Sequence, residues 1–116
     1  LLPLSQWALH FYNRIAYHDY NSLFITDTQG AKLATDLGTH HVMLMRHHGA
    51  LIGGKTIQEA MFYTYHLHQA CQTQCMLLAM QRPILPLNAN DCMNASKDLL
   101  NFEDDLGARD WKAWER

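Results

Sequence analysis

This chain is poor in the features that would commit it to a membrane, a nucleic acid or an oxidising compartment. It has no run of Lys or Arg, its net charge is -2 with histidines neutral, and only 17% of its residues are charged. That leaves no electrostatic case for binding nucleic acid or an anionic lipid surface. The longest uninterrupted apolar run, Met76 to Met80, is far shorter than the ~20 residues that span a bilayer. No secretory signal is visible. The three cysteines are odd in number and lack framework spacing, which points to a reducing setting and an expected place in the cytoplasm. There is no internal repeat and no low-complexity tract. The chain also lacks an initiating methionine and ends inside a helical pattern, so either end is expected to belong to a longer parent.

What is present is an ordinary globular composition. Apolar residues make up 48% of 116 residues, enough for one domain or part of one. Eight histidines are a rich supply. The stretch Met43 to Ala60 is the most specific. An apolar strand run, Val42 to Met45, ends in Arg46-His47-His48-Gly49. A second short apolar run, Ala50 to Ile52, follows, and Gly53-Gly54 leads into a helix. Thr56-Ile57-Gln58-Glu59 reads as a capping box, with the Thr56 hydroxyl on the Glu59 N–H and the Glu59 carboxylate reaching back to Thr56 N–H.

From that start a helix is expected to run to about Gln81, where Pro83 stops it. Ile57, Met61, Thr64, His68, Cys71, Cys75 and Leu78 recur every three or four residues, which places them on one helical face, and Met61, Thr64, Cys71, Cys75 and Leu78 are expected to face the sheet or a neighbouring helix. Before it, a short helix is expected from about Leu4 to Tyr12 behind Pro3. Strands are expected within Arg14 to Tyr20 and at Leu23-Phe24-Ile25, with a turn at Asn21-Ser22. A helix over Gln29 to Leu37 stops at Gly38. After a connector from Pro83 to Asn90, helices are expected over Asp91 to Leu100 and Gly107 to Arg116, with Asn90 or Asp91 and Asp110 near their starts.

Most chemistry-bearing residues have an ordinary reading. His66 and His68 lie two apart on a helix, point to different sides and cannot share a metal. Each reads as a rim or surface histidine. Cys71 and Cys75 read as small buried hydrophobes, since no partner pair follows at zinc-site spacing. His40-His41 reads as loop surface, and His10 and His18 show no nearby partner pattern. Tyr12, Tyr17 and Tyr20 read as packing residues, and Asp104-Asp105 as a solvated loop. Gly49, Gly53 and Gly54 fit neither a P-loop nor a dinucleotide fingerprint. His47-His48-Gly49 differs: it closes a buried strand, and its glycine allows a tight turn and a close ligand approach.

Leu44-Met45-Arg46-His47-His48-Gly49, then Gly54-Lys55-Thr56-Ile57-Gln58-Glu59-Ala60, then Leu67 and Ala70, resemble the second half of the class II aldolase/adducin family. Its pattern there is apolar strand, Asn-His-Gly, apolar strand, Gly-x-Thr, Glu-Ala and a long helix. Leu2-Pro3-Leu4-Ser5-Gln6 and Tyr17-His18-Asp19-Tyr20 resemble one subgroup. The resemblance covers about residues 1–81. It implies a three-layer α/β/α domain, here a C-terminal portion over residues 1–116 with a helical tail from about 83.

The resemblance also implies a homo-oligomer, usually a tetramer, and a divalent metal, typically zinc, held by three histidines that serve an aldolase or epimerase acting on a small carbonyl substrate such as a sugar phosphate. The metal acts in the family's aldolases as a Lewis acid that stabilises an enediolate. Residue by residue, only His48 carries over as a metal ligand, because the family's His-x-His pair and acidic catalytic residue precede Leu1. No catalytic residue is assigned, and the fragment by itself is expected to be inactive. Two positions depart from the pattern: His47 stands where Asn is usual, and His68 where the long helix usually carries Glu. The other function class open to the same fold is a non-catalytic adducin-type module for assembly or cytoskeletal binding, and a third reading is a truncated remnant.

Overall fold

Four helix starts are set by one short polar side chain each. Ser5 accepts the N–H of Ala8, Thr26 that of Gln29, Thr56 that of Glu59 and Asn88 that of Asp91, at 2.9–3.3 Å. Each bond satisfies a first-turn donor that has no partner within its own helix. The computed structural model describes residues 1–21 and 26–116. In chain order they form α1 (Gln6–Leu9), β1 (Ile15–His18), α2 (Asp27–Leu37), β2 (Val42–Met45), β3 (Gly49–Ile52), α3 (Ile57–Ala79), α4 (Ala89–Leu100) and α5 (Ala108–Trp114). The strand expected at Leu23-Phe24-Ile25 and half of the Asn21-Ser22 turn lie outside the described residues. Among the described residues no helix is long and apolar enough to cross a membrane.

The elements gather into two units, Asn13–Gly53 and Leu1–Tyr12 with Gly54–Arg116. In the first, β1 pairs in parallel with β2, and β2 pairs antiparallel with β3. A parallel pair needs a crossover, and α2 supplies it and packs on β1. Val42 and Met43 are buried on β2, as are Ala16 and His18 on β1. α2 begins two residues earlier than the apolar spacing suggests. Thr26 and Gln29 form a full capping box, each side chain bonded to the other's backbone N–H, and that local chemistry sets the start ahead of the first apolar position.

In the second unit α1 and α5 pack on α3, and α4 packs on α1. The buried stripe of α3 is Glu59, Phe62, Tyr63, Leu67 and Ala70. This overturns the expected stripe. Leu78 is 50% exposed, Met61, Thr64 and Cys75 are also exposed, and Cys71 is half-buried, while His68 is exposed in line with its reading as a surface histidine. The reason is that α3 carries apolar residues on more than one face, so two stripes satisfy helical spacing and the bulkier aromatic one wins the packing. Cys71 and Cys75 are therefore not core residues; the buried thiol is Cys92 on α4.

The box at the start of α3 is also only half as expected. Thr56 caps Glu59, but the Glu59 carboxylate accepts the N–H of Lys55 rather than that of Thr56. α4 starts at Ala89 because Asn88, not Asn90 or Asp91, is its cap. α5 starts at Ala108 behind Gly107, whose φ of 85° is left-handed. A Cβ there would lie 2.5 Å from the Gln58 carbonyl oxygen, so only glycine lets α5 approach the first turn of α3.

These features set measurable outcomes. Leu67→Ala should cost about 2–5 kcal/mol in urea unfolding, whereas Leu78→Ala should cost about 0.5 kcal/mol or less. Equal losses at the two positions would contradict the stripe. Gly107→Ala should lower stability by at least about 1 kcal/mol through backbone strain alone. Thiol labelling of the native chain should run Cys75 first, Cys71 next and Cys92 last, because burial pushes the Cys71 thiol up and so reduces its thiolate.

Candidate functional site

The His47-His48-Gly49 motif forms the turn of the β2–β3 hairpin. Val42 pairs with Ile52 and Met45 with Gly49, leaving Arg46, His47 and His48 as the connecting residues. The His48 N–H donates to the Met45 carbonyl at 3.1 Å and closes the turn. His47 has φ 58°, a left-handed conformation that costs most residues and suits Asn and Gly best. That explains in backbone terms why Asn is the usual residue at this position in the family pattern, and His is among the non-glycine types that tolerate it. Gly49 follows at φ 154°, and a Cβ placed on it would meet nothing within 4 Å.

Both imidazoles are exposed. They lie in the turn and not on β2, so strand alternation does not decide which of them faces a ligand. Among the described residues no three His, Cys, Asp or Glu side chains come together as a metal-holding group. The donor set at the hairpin is thus two exposed imidazoles, with His48 directly before an open glycine, which fits part of a shared site and does not by itself hold an ion.

The same unit contains a second histidine arrangement that spacing did not reveal. His18 at the end of β1 is buried, and its Nδ1–H donates to Asp36 on α2 at 2.7 Å. Lys32, one turn earlier on α2, bonds the other oxygen of Asp36. The Asp36 carboxyl is held below the usual carboxylate range, first by Lys32 and then by His18. Nearby, Arg46 reaches Asp19 at 2.7 Å and lies 5.6 Å above the Tyr17 ring. Tyr17 and Tyr20 are exposed, so they are not the packing residues that their aromatic character suggests.

The larger unit holds a pocket of about 670 Å³ beside α3. Trp7, Tyr65 and Trp114 form part of its wall, with His10 and His66 deeper. His66 stacks on Phe62 at 3.9 Å, and His10 meets the His66 ring edge-on at 4.5 Å. The Nδ1–H of His66 donates to the Phe62 carbonyl at 2.8 Å. Burial pulls its proton affinity down, more than that bond and the Asp110 and Glu103 charges raise it. Burial thus disfavours the charged form of His66, and in the neutral ring that donates from Nδ1 the lone pair lies on Nε2. No sequence signal joins these residues: His10 and His66 meet only because α1 packs on α3.

The Asp36 triad predicts a pH dependence. A carboxyl whose folded pKa lies below its unfolded value adds stability above the unfolded pKa, and that stability fades as pH falls through the folded value. Urea midpoints should drop as pH is lowered below the ordinary carboxylate pKa of about 4, and Asp36→Asn should flatten part of that drop. Parallel profiles for the two proteins would show that the triad carries no such linkage.

The comparisons with known proteins cover most of the chain. Residues 1–75 match the model of the class II aldolase and adducin N-terminal domain. A Caulobacter vibrioides protein provisionally named a class 2 aldolase is 34% identical over 82 residues, which is 71% of this chain and 32% of that protein. Alpha-adducin of Rattus norvegicus is also 34% identical, over 80 residues that make up 68% of this chain and 11% of its own length. The crystal structure of an aldolase II superfamily protein from Pseudomonas syringae superposes with a TM-score of 0.89 at 29% identity, covering 97% of this chain and 46% of that one. The chain thus spans about a third or less of the length of these two curated relatives. Its mixed sheet and helices carry the α/β fold expected from the sequence, and the chain belongs to the class II aldolase and adducin family.

Proposed function

We propose that this chain is the C-terminal portion of a class II aldolase-type domain in a longer parent, in which His48 supplies one ligand to a divalent metal, zinc being the expected ion. One observation supports this reading above the rest. The imidazole that matches the family's ligand position stands exposed on a tight hairpin turn, directly before a glycine that leaves open space. The parent is then a metal-dependent aldolase or epimerase acting on a small sugar or sugar phosphate, as a homo-oligomer in the cytoplasm. His47 serves as the left-handed turn residue, and its ring can orient a neighbouring group by hydrogen bonding. The remaining ligands and the catalytic acid would come from parts of the parent outside these 116 residues.

A second reading has an observation of its own. Alpha-adducin matches at the same 34% identity as the aldolase-type relative, which supports a non-catalytic interaction module on the same fold. The two separate on metal content. The 116-residue chain alone should show no lyase activity and should lose zinc to a chelator wash, because one imidazole does not hold zinc tightly. Stoichiometric zinc retained after that wash would overturn the single-ligand assignment. In a full-length parent, His48→Ala should empty the metal site while His47→Asn leaves zinc content unchanged and the hairpin intact. The reverse pattern would make His47 the ligand, and a parent without zinc would favour the interaction module.

A further inference from the structure

The pocket beside α3 is not used by the hairpin chemistry and has a composition of its own. Trp7 and Tyr65 meet edge to face at 6.3 Å, and Tyr65 tilts against Trp114 at 5.6 Å. Three adjoining rings thus present both faces and edges at one opening. All three are partly exposed. The volume, about 670 Å³, suits a small molecule.

The charges around the pocket are uneven. Glu103 and Asp110 are two carboxylates with one guanidinium between them. Arg109 bonds Glu103 at 3.1 Å and reaches Asp110 only at 3.8 Å. Asp110, half-buried and lining the pocket beside Arg109, keeps only that long contact. The pocket wall already holds one cation on an aromatic face: the Arg109 guanidinium lies 5.7 Å above the Phe102 ring. His66 lines the same pocket, and burial disfavours its charged form.

We infer that this pocket binds a small organic cation, a protonated or methylated amine on an apolar body, with the body against Trp7, Tyr65 and Trp114 and the charge facing Asp110. The chemistry is the attraction of a cation to ring faces, strengthened by a carboxylate at the same mouth. A neutral ligand of the same shape would gain the ring contact and leave Asp110 with only its long Arg109 contact. A carboxylate ligand would be repelled by it. The inference is independent of the metal reading, because every residue it uses lies in the unit that does not contain His48.

The test is titration of the 116-residue chain with 2-phenylethylamine, 2-phenylethanol and 3-phenylpropionate, followed by tryptophan fluorescence. Trp7 and Trp114 line the pocket and serve as reporters. The amine should give saturable quenching, with the alcohol weaker by about tenfold and the acid weaker still, as a charge-assisted bond implies. Asp110→Asn should bring the amine down to the alcohol's affinity and leave the alcohol unchanged, with circular dichroism confirming that the helices persist. Alcohol or acid binding as tightly as the amine, or no saturable response to the amine, overturns the inference on the unmodified chain alone. An amine affinity that is unaffected in folded Asp110→Asn overturns the assigned role of the carboxylate.

Discussion

One stripe of α3 carries the larger unit. Phe62, Tyr63, Leu67 and Ala70 are buried, and α1 and α5 both pack on this helix. The stripe begins with a buried carboxylate, which would be costly if it were left without partners. Glu59 avoids that cost by accepting the Lys55 N–H, with the Tyr63 hydroxyl approaching at 3.4 Å, at a helix end where negative charge is favoured. The loop that enters α3 is thereby tied to the first turn, and the aromatic residues one turn on are held where α1 and α5 meet them. The position of α5 depends in turn on a missing side chain, because Gly107 lies against the Gln58 carbonyl.

The polar interactions of the smaller unit differ in consequence. The Arg46–Asp19 pair is exposed on both sides, and pairs of that kind contribute little to stability. The His18–Asp36 bond joins a buried strand end to its crossover helix. Removing the His18 partner would leave a buried ring nitrogen unsatisfied, and that asymmetry makes the bond structurally important even where its net gain is small.

The sequence was legible where structure is local. β2 matches its expected bounds, β3 begins one residue before its expected start, and α3 starts at the expected threonine, because alternation, capping and turn chemistry act over a few residues. The buried face of α3 was not legible: a helix with apolar residues all round offers more than one periodic stripe, and only the packing of α1 and α5 selects among them. The same holds for His18 and Asp36, and for His10 and His66, which are paired by tertiary packing at sequence separations that no motif spans. The candidate ligand position His48 was read from a pattern of neighbours, while the left-handed backbone of position 47 is a feature that no composition reveals.

The order of the sheet also bears on how the smaller unit assembles. β2 and β3 are joined by three residues, so their pairing is local and closes on the microsecond scale typical of hairpins. β1 must instead return to β2 across the whole of α2, and a longer loop carries a larger closure entropy that is met only once the parallel ladder forms. The hairpin with its two histidines is therefore the closure of this unit that costs less chain entropy. The His18–Asp36 bond lies within that longer connection, tying the end of β1 to the crossover helix itself.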